Sequence, residues 1–372
     1  MGKRERGGDP LRLARPDLVE MPGYEPIVPV DVLARRLGIP EERIVKLDGN
    51  ESPYGPSPRV VEALARFPYY HIYPDPEQRQ VREAVARYAG VDVESVVVGS
   101  GSDELLDLTG RLFLSPGDAV VNATPTFGMY EFVARTCGAR VVEVLRREDF
   151  GLDLPAMESA LSEGGKLAYI ASPNNPTGNP MGRRELERLL ATGAVICVDE
   201  AYAEFHGETF ASLVGERDNL IVVRTFSKWA GLAGLRAGYA VFPAPVAEVI
   251  RKIKMPYNLS VAAQVAVLAS LEDIDTLKER VSAVVAERER MIERLASLPW
   301  LRPYPSQANF VLCEVKGMAA REVRARLQQR GIFIRHFDAP GVRNSLRISV
   351  GRPEHTDLLM TALSEIGASV GK

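Results

Sequence analysis

Lys228 directly follows Ser227, stands eight residues before Arg236, and comes just after the apolar run Leu220-Ile221-Val222-Val223. With small and apolar residues around it, a charged ammonium would be costly to bury without a partner. A Schiff base to an aldehyde removes that cost, as does leaving the side chain in water, the ordinary fate of a lysine in a turn. Asp199 ends a second apolar run, Ala194-Val195-Ile196-Cys197-Val198. A carboxylate there can ligate a metal, cap a helix or pair with a protonated ring nitrogen. Four scattered histidines (His71, His206, His336, His355) give no ligand spacing, so no metal site is expected.

A third cluster, Gly99-Ser100-Gly101-Ser102-Asp103, joins an apolar strand to a helix. Backbone N–H groups at such a helix start make a ready anion site, although glycine-rich turns of this kind are common. Ser227 and Arg236 would add a hydroxyl and a fixed positive charge to balance a dianion. A reactive amine, a lone carboxylate and an anion cradle are together what pyridoxal 5'-phosphate requires. The lysine takes its aldehyde, and the carboxylate keeps its pyridine protonated as an electron sink. Tyr202, three residues beyond Asp199, would aim its hydroxyl at the same ring or serve as an amphipathic core residue.

These residues need a scaffold that brings strand ends together. Short apolar runs at 95–98, 119–122, 140–144, 167–171, 194–198, 220–223 and 239–242 read as strands. Helical patterns such as 103–113, 127–136 and 184–190 separate most of them. Near-continuous apolar strands alternating with helices indicate a mostly parallel sheet covered on both faces, an α/β domain. In such sheets ligands bind beyond the carboxyl ends of the strands, and each polar cluster above falls just there. A long amphipathic helix at 275–298 leads to a smaller α+β pattern, with strands 309–315, 332–335 and 345–350 and helices 318–330 and 354–366. The expected organisation is an N-terminal arm (1–40), a large domain (41–274) and a small domain (275–372). The arm is read as extended, apart from a short helix at 30–37.

With 372 residues the chain is long enough for a substantial core. A net charge of −3 with interspersed signs gives no reason to expect nucleic acid or membrane as a partner. Cys137, Cys197 and Cys313 lie far apart among apolar residues, as free thiols in a reducing compartment would. No apolar segment follows the charged N-terminus, so residence in the cytoplasm is expected.

The ordered set Ser172-Pro173-Asn174-Asn175-Pro176-Thr177-Gly178, Asp199-Glu200-Ala201-Tyr202 and Ser227-Lys228 with Gly234-Leu235-Arg236 resembles the fold type I pyridoxal-phosphate aminotransferases. Asn50-Glu51-Ser52-Pro53-Tyr54-Gly55, Tyr73-Pro74-Asp75, Pro125-Thr126-Phe127-Gly128-Met129-Tyr130 and Leu346-Arg347-Ile348-Ser349-Val350-Gly351 narrow the resemblance to histidinol-phosphate aminotransferases. It implies amino transfer from L-histidinol phosphate to 2-oxoglutarate by a ping-pong cycle, a step in histidine biosynthesis. Lys228 would carry the cofactor and shuttle the proton. Asp199 would pair with the pyridine nitrogen, Asn175 and Tyr202 with the ring oxygen, and Phe127 would stack on the ring where many relatives have tyrosine. Gly101, Ser102, Asp103, Ser227 and Arg236 would hold the phosphate, helped by Tyr73 from the neighbouring subunit of a homodimer with shared sites. The arm would pack at that dimer and on the small domain. Tyr24, Asn309, Arg335 and Arg347 would contact substrate, with Arg343 an alternative to Arg335. The same scaffold also serves aromatic amino-acid aminotransferases and threonine-phosphate decarboxylases, and a cofactor-binding protein without catalysis is the reading outside enzymes.

Overall fold

The computed structural model describes residues 10–23 and 26–368. Its strands are β1 (Val45–Leu47), β2 (Val96–Gly99), β3 (Ala119–Thr124), β4 (Arg140–Leu145), β5 (Gly165–Ala171), β6 (Val195–Asp199), β7 (Leu220–Thr225), β8 (Gly238–Val241), β9 (Leu301–Pro303), β10 (Phe310–Val315), β11 (Ile332–Phe337) and β12 (Ser345–Ser349). Seven form one sheet in the order β2-β8-β7-β6-β5-β3-β4, in which only β8 runs against its neighbours. The sheet is covered on both faces even out to its β2 edge; every residue of β2 and β7 is buried. That is why they read as continuous apolar runs rather than alternating ones. Strand order reverses between β3 and β5, and crevices open at such reversals.

The second sheet has the order β1-β11-β12-β10-β9. β1 pairs in parallel with β11 across nearly the whole chain, Val45 facing Ile332. β1 falls within the stretch 41–274 expected to form the large domain, yet it is an edge strand of the smaller sheet. The helix Ile274–Ala296 links the two layers, burying Leu277, Val284, Met291 and Leu295 along one stripe.

The arm departs from an extended reading. Pro10–Leu13 forms a 3₁₀ turn and Pro16–Val19 a short helix, with Pro16 at the first helical position where a missing N–H costs nothing. The helices Pro58–Arg66 and Val261–Glu272 pack on each other and have no counterpart in the sequence reading. The second is apolar around most of its circumference, so no amphipathic period announces it. Elsewhere the boundaries shift by a few residues: the expected helix 318–330 is Ala320–Gln328, and 127–136 is Met129–Thr136. Among the described residues no helix is long and apolar enough to cross a membrane, and no His/Cys/Asp/Glu group is arranged to hold a metal ion.

Candidate active site

A cavity of about 530 Å³ opens between the two sheets, at the carboxyl ends of the parallel strands. The large sheet supplies Asp199 as the last residue of β6 and Ser227 and Lys228 just after β7. Ser102 and Asp103 reach the cavity from the start of the helix Ser102–Phe113. The small sheet supplies Arg335 and Phe337 from β11 and Arg347 from β12. Arg335 and Arg347 are direct antiparallel partners, so two guanidinium groups share one wall. The segment 48–50 crosses between the sheets, and Pro26 and Ile27 of the arm close one side.

Lys228 lies at the centre, donating from Nζ to the Gly49 carbonyl at 3.1 Å. Burial brings its pKa down to about 8; Arg347 and Arg236 push the same way, against Glu51 and Asp103. The shift enlarges the neutral fraction of the amine, the form a nucleophile must take. Its loop rests on fixed supports. Trp229 donates from Nε1 to the Thr225 carbonyl at 3.0 Å and stacks on Tyr88. Beneath it Arg224 pairs with Glu204 at 2.8 Å and stands 3.8 Å from Glu200, with all three side chains buried. Burial pushes Glu200 up to about 7. Gly231 takes φ +71°, and a Cβ there would meet the Gly55 carbonyl oxygen at 2.3 Å, so the lysine loop fits only a glycine at this contact.

Asp199 is 4% exposed. Its carboxylate accepts from the Tyr130 hydroxyl at 2.8 Å and from the Ala201 N–H at 3.0 Å. Burial raises its pKa to about 6, opposed by those two hydrogen bonds. Ser227 accepts from Thr225 Oγ1 at 2.9 Å and lies 3.5 Å from an Arg236 nitrogen, while Arg236 pairs with Asp103 at 2.7 Å. Gly101 has φ +79°, and a Cβ on it would strike the Arg236 guanidinium at 2.5 Å. Arg347 donates to Asn175 Oδ1 at 2.7 Å and to the Asp48 carbonyl at 2.5 Å, with its guanidinium over the rings of Phe310 and Phe337.

Of the residues singled out in the sequence, Ser102, Asp103, Phe127, Asn175, Asp199, Tyr202, Ser227, Lys228, Arg236, Arg335 and Arg347 all line this one cavity. Asn309 does not line it: at 1% exposure it donates to the Asn50 carbonyl at 2.9 Å and supports the 48–50 segment from behind. Tyr73 is 79% exposed and stacks on Tyr257 at 4.6 Å, outside the cavity. Arg343 is exposed and also outside, which leaves Arg335 as the second arginine of the wall. Tyr24 lies outside the described residues.

Two residues with structural weight at the site carry no role in the sequence reading. Tyr130 holds Asp199; in the sequence it appears only as the last residue of the motif Pro125–Tyr130, with no role attached to it. Asn50, at φ 53°, donates to the Tyr202 hydroxyl at 3.0 Å and to Ser349 Oγ at 2.9 Å. A non-glycine residue held in the left-handed region is an uncommon local signal, but sequence alone does not display it.

An α/β enzyme with a buried lysine and a buried carboxylate lining one cavity at the carboxyl ends of adjacent parallel strands is the class these features define. The chain belongs to the aminotransferase class I and II family, which it matches over residues 42–363. Among curated relatives, the histidinol-phosphate aminotransferase of Roseiflexus castenholzii is 51% identical over 95% of this chain and 98% of its own length. The chloroplastic histidinol-phosphate aminotransferase of Nicotiana tabacum is 46% identical over 94% of this chain and 85% of its own. The solved histidinol-phosphate aminotransferase of Sinorhizobium meliloti, in complex with pyridoxal-5'-phosphate, superposes with a TM-score of 0.86. It is 30% identical, covering 95% of this chain and 97% of that one.

Proposed function

We infer that this chain is a histidinol-phosphate aminotransferase, moving the amino group of L-histidinol phosphate to 2-oxoglutarate with pyridoxal 5'-phosphate as cofactor. The observation that carries the reading is the pairing of Arg335 with Arg347 on the wall opposite a buried Lys228 and Asp199. The cavity fits the cofactor in three independent ways. Asp199 is a buried carboxylate whose hydrogen bonds come from a hydroxyl and a backbone N–H, both neutral, so a protonated ring nitrogen supplies its missing counter-charge. Lys228 is depressed towards neutrality. A helix start, Ser227 and Arg236 converge, the missing Cβ of Gly101 letting the Arg236 guanidinium come close to that helix start.

When bound, the cofactor supplies an electron sink for the bonds at the substrate's Cα. Asp199 would accept a hydrogen bond from the protonated ring nitrogen, the backbone N–H groups at Gly101, Ser102 and Asp103 with Ser227 and Arg236 would bind the phosphate, and Phe127 would lie against the ring face. Asn175 and Tyr202 bind the ring oxygen. Lys228 Nζ removes the proton from the substrate's Cα. Arg347 takes the α-carboxylate of glutamate. Arg335 takes the phosphate of histidinol phosphate in one half-reaction and the distal carboxylate of 2-oxoglutarate in the other, planar donors suited to both anions. Phe337, Pro26 and Ile27 limit water.

The same reading makes the enzyme a cytoplasmic homodimer with an arm (1–40), a large domain (41–274) and a small domain (275–372). Tyr69, Tyr70, Ile72, Tyr73, Met255 and Tyr257 are each at least 42% exposed, and a partner subunit would cover such a surface. In such a dimer Tyr73 would reach the neighbouring subunit's phosphate, whose Arg236 side chain is 45% exposed. Borohydride reduction of the loaded protein should fix the cofactor to Lys228, located by peptide mapping. Turnover of L-histidinol phosphate, L-phenylalanine and threonine phosphate in parallel should rank the first highest; ranking it lowest would overturn the assignment.

A further inference from the structure

Asp199 must stay ionised inside the protein, and the cavity offers little to keep it so. The groups facing it are Tyr130 from the helix Met129–Thr136, Asp103 from the helix Ser102–Phe113, Lys228 after β7, and Cys197 and Tyr202 from its own strand and turn. Asp103 disfavours the charge. Lys228 favours it only while protonated, and an amine engaged in covalent chemistry is lost as a simple counter-ion. Cys197 is buried and its thiol is pushed well up, so it stays neutral. That leaves the Ala201 N–H on one carboxylate oxygen and the Tyr130 hydroxyl on the other.

Tyr130 is itself 0% exposed and does not move easily. Its ring stacks on Tyr169 at 5.4 Å and 9°, and meets Phe127 edge-on at 5.7 Å. The Tyr169 hydroxyl is tied to the Leu106 carbonyl at 3.0 Å, fixing the stack from behind. We propose that Tyr130 is the positioning residue that keeps Asp199 ionised and aimed at the cofactor's ring nitrogen. The hydroxyl donates to the carboxylate oxygen Oδ2 and leaves the ring-facing side of the cavity free. Because burial pushes the Tyr130 phenol well above its ordinary value, it remains a donor throughout the working pH range. Phe127, in the loop just before that helix, and Tyr130 on its first turn then act as one unit through their edge-on contact, the first against the ring face and the second behind the carboxylate.

The inference rests on the cofactor reading above, and its test separates the two. The probe is pyridoxamine 5'-phosphate, which has no aldehyde and so reports the ring and phosphate contacts without covalent capture by Lys228. Its dissociation constant is measured by fluorescence from pH 5.5 to 8.5 for the parent protein, Tyr130→Phe, Asp199→Asn and the double variant. The parent should bind steadily above neutrality and lose affinity as pH falls through the titration of Asp199. Tyr130→Phe should show the same loss displaced upward by about one to two pH units, the weight of one hydrogen bond to a charged group. Affinity at pH 7 should fall by about two- to tenfold, as the ionised fraction of Asp199 falls. In the Asp199→Asn background the phenylalanine should change affinity less than about twofold. A Tyr130→Phe profile that superposes on the parent's overturns the proposal, as does an equal loss in both backgrounds. Failure of the parent to bind the probe at any pH overturns the cofactor reading itself.

Discussion

Replacing Arg335 by alanine separates a phosphate-reading arginine from a structural one. Arg335 is partly buried on β11 and faces the cavity beside Arg347, so an anion there receives charge-assisted hydrogen bonds in a partly desolvated site. Such bonds contribute about 1.5–3 kcal/mol, which is roughly a 10- to 150-fold change in kcat/KM for a donor carrying phosphate. A donor without phosphate should lose much less, because the rest of the machinery is left in place. Arg347 keeps its hydrogen bonds to Asn175 and the Asp48 carbonyl, and the charges that depress Lys228 are Arg347 and Arg236. The assay is kcat/KM for L-histidinol phosphate and L-phenylalanine in the same preparation, parent against Arg335→Ala. The expected ratio of losses is at least tenfold. Equal losses for the two donors would refute the reasoning, and Arg335 would then be a residue of the strand rather than of the substrate. Arg335→Lys should recover part of the difference, since it restores charge without the planar fork.

Three other perturbations follow from the geometry. Lys228 has its pKa lowered to about 8, so cofactor capture by the free protein should accelerate from pH 6 to about pH 8 and then level off. Stopped-flow absorbance would check this, and a rate still climbing at pH 10 would contradict it. Gly231→Ala should lower stability by about 2–4 kcal/mol through a left-handed backbone and a backbone clash at Gly55. For a chain of this length that is a drop in Tm of roughly 3–5 °C by calorimetry of the cofactor-free protein. Aspartate at both Met255 and Tyr257 should shift sedimentation towards monomer and weaken cofactor binding, if the exposed aromatic face joins two subunits.

Much of the site is legible in sequence because a parallel sheet gathers the carboxyl ends of distant strands, so each chemical residue announces itself locally. Asp199, Ser227 and Lys228 follow apolar runs that can only be buried strands. Glycine and serine at 99–102 mark a strand-to-helix turn in the same way. Tyr130 and Asn50 act instead through contacts 69 and 299 residues away, and nothing local encodes the partner. Asn309 shows the converse. The family resemblance makes it a substrate contact, whereas its side chain, at the entry to β10, is spent on the backbone of another segment. The helix Val261–Glu272 escaped for a different reason, since a helix apolar on nearly every side has no period to detect.

The segment from Asp48 to Pro56 has no regular secondary structure, yet six of its carbonyl oxygens are held by side chains. Arg347 holds Asp48, Lys228 holds Gly49, Asn309 holds Asn50, Arg352 holds Pro53, and Arg280 holds both Gly55 and Pro56. A connector fastened in this way cannot change length as surface loops do. One inserted or deleted residue would slide every carbonyl past its anchor and unfasten the small sheet, the linking helix and the lysine loop together. Lineages descending from this fold can therefore vary the chemistry of side chains here far more freely than they can vary the number of residues, and the segment acts as a fixed ruler between its two halves.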